Sequence, residues 1–185
     1  MSTRVPLIVL AAFLLCVNSA CRRSADARNL STVDSLMSVN DSLIKGLKAL
    51  DLPRVARIDS VFATKADRIM MLMRDTLNKE AALVLGNYYR TMTKYPRFAQ
   101  QGIGSVLERL ERNRGQLADL RNDVDKGLLE PVEEARYIKE EKLALAEARQ
   151  DAEKVAASVK TIIRDEASYV IAVDSLIAMD TLRVR

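Results

Sequence analysis

The stretch GNYYRTMTKYPRFAQQGIG, residues 86–104, decides how this chain is read. A residue before proline is pushed out of the α region, so Tyr95-Pro96 predicts a helix end. Gly102 and Gly104 extend the irregular stretch, and Ser105-Val106-Leu107-Glu108 then reads as a capping box. The expected result is a corner between a helix ending at Tyr95 and another over about 105–126. The same stretch gathers Tyr88, Tyr89, Tyr95 and Phe98, with Arg90, Lys94 and Arg97 interleaved. Beyond residue 20 the other aromatics are Phe62, Tyr137 and Tyr169. Tyr and Arg are favoured at binding hot spots. Tyr88, Tyr89, Arg90, Lys94, Tyr95, Arg97 and Phe98 are therefore the candidate partner-binding set. The competing reading is a helix–helix corner plugged by aromatics.

Toward the C-terminus, Ile103, Leu110, Leu117 and Val124 recur at seven-residue steps along the 105–126 helix. Gly127 suits its C-terminal cap. Pro131 opens a last helix running to about Met179, with Glu133 and Glu134 near its positive N-terminal dipole. At 1.5 Å per residue these two helices measure about 33 and about 70 Å. A short loop joins them, so they should pack antiparallel. The shorter covers only half of the longer, which predicts a hairpin projecting from a bundle. From Val155 onward the apolar face of the last helix widens, so that half needs further partners. Segment 88–121 carries net charge +4 and segment 122–154 carries −4, which favours the hairpin register.

Toward the N-terminus, Asp51-Leu52-Pro53 marks a break and restart. A first helix should begin at Ser31 or Thr32 and carry Val33, Leu36, Met37, Leu43, Ile44, Leu47 and Leu50. A second should run to about Leu77, followed over about 78–95 by a third or by its own continuation. Met70, Met71 and Met73 read as core filling beside Ile69 and Leu72, the alternatives being an adaptable binding groove or a soft metal site. An Asp followed by Ser or Thr recurs at Asp34, Asp41, Asp59, Asp75, Asp174 and Asp180. No repeat period of 20–50 residues accompanies it. No segment has the alternation of a strand. The fold class is all-α: a helical bundle with a long antiparallel hairpin, forming one domain over 31–180.

The first residues address the compartment. Arg4 precedes Leu7 to Val17, a run free of charged, amide and hydroxyl side chains. It is shorter than the roughly 20 residues of a bilayer span and has the size of a signal-peptide core. Asn18-Ser19-Ala20-Cys21 then resembles the lipobox of bacterial lipoproteins, with Asn18 where that class usually has Leu. The resemblance implies cleavage before Cys21, diacylation of its thiol and, usually, acylation of its new amine. Residues 1–20 would be the signal peptide and 21–30 a lipidated polar tether. An ordinary secretory signal cut after Ala20 and an uncleaved anchor are the competing readings. By analogy with lipoprotein sorting, the lack of Asp after Cys21 favours the periplasmic side of the outer membrane. Arg22 and Arg23 suit either headgroup contact or a solvated linker.

Composition narrows the function. The 185 residues contain no His, no Trp and two Cys. That excludes Ser-His-Asp and Cys-His catalysis and His-ligated metal centres. Without residues 1–20 the net charge is +3, too mild to imply nucleic acid. Glu133, Glu140 and Glu147, with Glu134 and Glu141 beside them, read as a solvated flank rather than a calcium or acid–base site. No catalytic residue, metal ligand or cofactor is expected. The expectation is a membrane-anchored, non-enzymatic interaction or scaffolding module of the cell envelope. Its partner would be an envelope protein, peptidoglycan or a further copy. The alternatives are a holdase-like periplasmic chaperone, by architectural likeness to proteins with projecting helical arms, and a carboxylate-dependent enzyme acting on envelope polymers.

Overall fold

A computed structural model describes residues 26–74 and 77–183. Among these residues there are four α-helices and no strand: α1 (Ala27–Lys48), α2 (Leu52–Leu72), α3 (Lys79–Asp125) and α4 (Pro131–Arg183). The signal peptide and Cys21 lie outside the described residues. The stretch expected as a tether enters helix at Ala27, because Asp26 Oδ1 accepts from the Arg28 and Asn29 amides. Asp51 caps α2 by accepting from the Arg54 amide, as the sequence suggests. That helix ends at Leu72, and Asn78 Oδ1 starts α3 by accepting from the Ala81 amide.

The expected corner is not there. α3 runs for 47 residues straight through Pro96, Gly102 and Gly104. The reason lies in its buried face. Leu85, Tyr88, Met92, Pro96, Ala99, Ile103, Val106, Leu110, Asn113, Leu117, Leu120 and Val124 are buried at steps of three and four, with two successive fours across Tyr88, Met92 and Pro96. A proline inside a helix costs about 3 kcal/mol. One seam buried along the whole helix outweighs that at roughly 1.5–3 kcal/mol per large apolar side chain. The Ser105–Glu108 capping box falls in mid-helix. Gly102 serves approach rather than flexibility: a Cβ there would lie 3.0 Å from Val155 Cγ2 on α4.

Continuity of α3 corrects the projecting hairpin as well. α3 is about 70 Å long and the 53-residue α4 about 80 Å, so they match along nearly their whole length. Gly127 joins them with φ 61°, while the Leu128 amide reaches the Asp123 carbonyl and the Gly127 amide that of Val124. α1 and then α2 fill the groove of this hairpin end to end. Asp34 and Asp41 of α1 pair with Arg121 and Arg114, so α1 runs antiparallel to α3. Lys65 and Arg68 of α2 pair with Asp174 and Asp180, so α2 runs parallel to α4. The architecture is an up-down-up three-column bundle whose first column is broken at Ala49–Asp51.

Three apolar clusters follow one another along it. The end near the α3–α4 loop is built on Val33, Leu117, Leu120, Val124 and Ile138. The middle holds Ile44, Leu47, Leu110, Leu145 and Val155, and the far end Phe62, Ile69, Leu85, Tyr88 and Ile162. Met70, Met71 and Met73 are not core filling: they are 38%, 63% and 41% exposed while Ile69 and Leu72 are buried.

Pro96→Ala restores a backbone hydrogen bond inside a continuous helix. It should raise the unfolding free energy by about 1–2 kcal/mol in urea titrations, after allowance for lost ring burial. A corner at Tyr95-Pro96 would instead make the substitution neutral or destabilising.

Candidate functional site

The continuous α3 disperses the seven candidate residues around the helix. Tyr88 points inward and is 1% exposed. Its ring meets Phe62 edge-on at 5.9 Å. Burial, with the Glu166 and Asp174 charges acting the same way, pushes its hydroxyl pKa up to about 12. Tyr89 turns toward α2, with its ring 5.7 Å from Phe62 and its hydroxyl 3.9 Å from Met70 Sδ. Arg97 and Phe98 are exposed, Phe98 at 47%.

Arg90, Lys94 and Tyr95 are brought together, and the groove they form was not legible from the 86–104 segment alone. They line a depression of about 280 Å³ between α3 and α4, with Thr91, Thr161, Arg164 and Asp165. The Lys94 ammonium lies 5.4 Å from the Tyr95 ring centroid, a cation–π distance. Asp165 is engaged on both oxygens: Thr91 Oγ1 donates to Oδ2 at 2.7 Å and Arg164 Nε to Oδ1 at 2.8 Å. Arg90 donates to Asn87 Oδ1. One carboxylate thus stands against three cations, leaving the groove net positive and suited to an anionic group. Arg164, more than sixty positions from the aromatic run, is the member that local reading missed.

A polar layer separates the loop-end and middle clusters. On α1, Asn40 lies between Val33 and Ile44; on α3, Asn113 between Leu110 and Leu117; on α4, Glu141 between Ile138 and Leu145. Asn40 Nδ2 donates to the Leu110 carbonyl at 3.0 Å. Asn40 Oδ1, Asn113 Nδ2 and Glu141 Oε2 are buried with no hydrogen-bond partner among the described residues. Burial raises the Glu141 pKa, and the Glu140 charge adds to it. Glu134 is also buried and accepts from Asn29 Nδ2 at 2.7 Å. The acidic flank expected to be solvated therefore turns two of its members inward. The signal was their spacing, since 134, 138, 141 and 145 continue a core seam by steps of four, three and four.

Among the described residues no group of three or more His, Cys, Asp or Glu side chains could hold a metal ion. No helix among them is long and apolar enough to cross a membrane. No protein-family model, curated protein or solved structure matches the chain.

Two measurements separate structural from available side chains. Tyr88→Ala should cost about 3–5 kcal/mol of stability, whereas Phe98→Ser should change it by less than about 0.5 kcal/mol. Glu141→Gln should stabilise the protein at pH 7. A raised folded-state pKa means that the native state holds its proton more tightly than the unfolded chain does. Wild-type stability therefore falls as pH rises from the unfolded carboxylate value through the folded one. The gain from Gln should vanish below the ordinary carboxylate range, checked by thermal unfolding across pH 3–8.

Proposed function

We propose that this chain is a bacterial lipoprotein, held by lipid on Cys21 at the periplasmic side of the outer membrane. There it acts as a non-enzymatic scaffolding module. One observation carries the reading: the bundle is about 80 Å long, and its first described residues lie at one end. Asn29 bonds to Glu134 in the first turn of α4, beside the α3–α4 loop. A tether at Cys21 therefore holds that end, and the basic groove stands about 50 Å up α3 from it, by the rise between Arg90 and Asp125. The exposed methionines lie further along. This geometry suits a spacer that presents a surface away from the membrane. Three cations in the groove favour a carboxylate-bearing partner, either peptidoglycan or an acidic face of an envelope protein.

The two alternatives find less support. The chaperone reading needs projecting arms, whereas α1 and α2 line the hairpin throughout. The enzyme reading needs converging carboxylates in a cleft, whereas Asp165 is already engaged by Thr91 and Arg164.

Cys21→Ser should move the protein from the membrane to the soluble fraction of cells; retention in the membrane removes the anchor. A photo-crosslinker at Lys94 should capture peptidoglycan or a single envelope protein, and one at Arg136 on the flank should not. Equal capture at both positions, or none at Lys94, counts against the groove as the presenting surface.

A further inference from the structure

The loop end of the bundle carries two of the most exposed large apolar side chains of the described chain: Leu128 is 58% exposed and Val132 is 81% exposed. Neither is on a loose segment. Leu128 directly follows Gly127 and donates its amide to the Asp123 carbonyl at 2.9 Å, so the turn fixes its place. Val132 is in the first turn of α4, behind Pro131. Leu129 beside them packs on the cluster of Val33, Leu117 and Val124, as does Leu30 from the start of α1. Thus Leu128 and Val132 stand on the same end as the first described residues.

The chain itself says what faces this end. Only four residues separate Asp26 from Cys21, a span of five residue steps, and an extended chain covers at most about 3.5 Å per step. A lipid on Cys21 therefore holds the loop end within about 20 Å of a bilayer. An uncleaved Leu7–Val17 segment would put the same end toward the same bilayer. Isolated exposed apolar residues are ordinary, but a pair fixed at the end of the bundle that faces an attached membrane is not. The turn itself is acidic, with Asp125, Glu130 and Glu133 exposed against Lys126, while the basic charge of this end lies on Arg28 and on Arg22 and Arg23 of the tether. An anionic bilayer would repel the turn's carboxylates, and a zwitterionic one would not, whatever the tether arginines touch.

Resting on the lipoprotein reading, we propose that the α3–α4 turn is a second membrane contact, with Leu128 and Val132 entering the interfacial layer of a zwitterionic bilayer. Lipid holds the chain at the membrane; the turn sets the bundle upright on it. Two apolar side chains are too few to hold a protein at a bilayer alone.

The test uses the full lipidated chain. Cys16 departs with the signal and the Cys21 thiol is acylated, so Leu128→Cys and Ile171→Cys each provide a single reactive thiol. Both are labelled with an environment-sensitive fluorophore and reconstituted into phosphatidylethanolamine/phosphatidylcholine vesicles. Ile171 is 77% exposed and lies far along α4, so it is the matched control. The label at position 128 should shift to shorter wavelength and be quenched several-fold more by a lipid-borne quencher than the label at 171. Replacing part of the lipid by phosphatidylglycerol should weaken both effects at 128. Protein that floats with the vesicles while both labels report water overturns the turn contact and leaves the anchor intact. Protein that does not float overturns the anchor, and this inference with it.

Discussion

One buried seam holds this structure together, and it belongs to α3. Its steps of three and four run from Leu85 to Val124 without a missed beat, and Pro96 sits in the line rather than interrupting it. Because that seam is continuous, α3 matches α4 in length. Because the two match, their groove accepts α1 and α2 along its whole extent. A helix that ended at Tyr95 would have left half of α4 uncovered and required a different bundle. Local backbone preference loses here to burial, as propensity does when tertiary packing opposes it.

Seam packing alone does not choose a register, since a bundle of Leu, Val and Ala can slide by one heptad at modest cost. Polar groups make the choice. Each described Asp of the recurring Asp-Ser or Asp-Thr pair reaches across to another helix. Asp34 meets Arg121, Asp41 meets Arg114, Asp174 meets Lys65, Asp180 meets Arg68, and Asp59 accepts from Gln100. Exposed pairs such as these contribute about 0–1 kcal/mol each, so their role is alignment more than stability. The Asn40–Asn113–Glu141 layer acts more sharply. A shift by one heptad would break the buried bond from Asn40 Nδ2 to the Leu110 carbonyl and set the asparagine against apolar side chains.

The all-α class, the helical hairpin, the Asp51 cap and the Gly127 turn were all legible in the sequence, because each rests on local chemistry. What misled was Tyr95-Pro96-…-Gly102-Ile103-Gly104, where local signals pointed to a corner and the seam overruled them. The seam was visible in the same letters: Met92, Ala99, Ile103 and Val106 keep helical spacing across the proline. The candidate site fared less well. Four aromatics close in sequence are not close in space, because a continuous helix fans them out by about 100° per residue. Tyr88 went to the core and Tyr89 to α2, while Arg90, Lys94 and Tyr95 met Arg164. No reading of one segment supplies a partner from another helix.

The break at Ala49–Asp51 bears on the order in which the molecule assembles. The α3–α4 turn is short, so the hairpin closes with little loop entropy. The first column has no such advantage: Asp34 lies 87 positions from Arg121 and Lys65 lies 109 from Asp174. Contacts so distant in sequence form late. In synthesis from the N-terminus, α1 and α2 emerge early; α1 finds its main partner in α3, and the groove that holds both is complete only once α4 has followed. Their apolar faces stay open in that interval. A column in two short pieces then docks piecewise, α1 on the loop end and α2 on the far end, rather than as one long helix that must find its register in a single step.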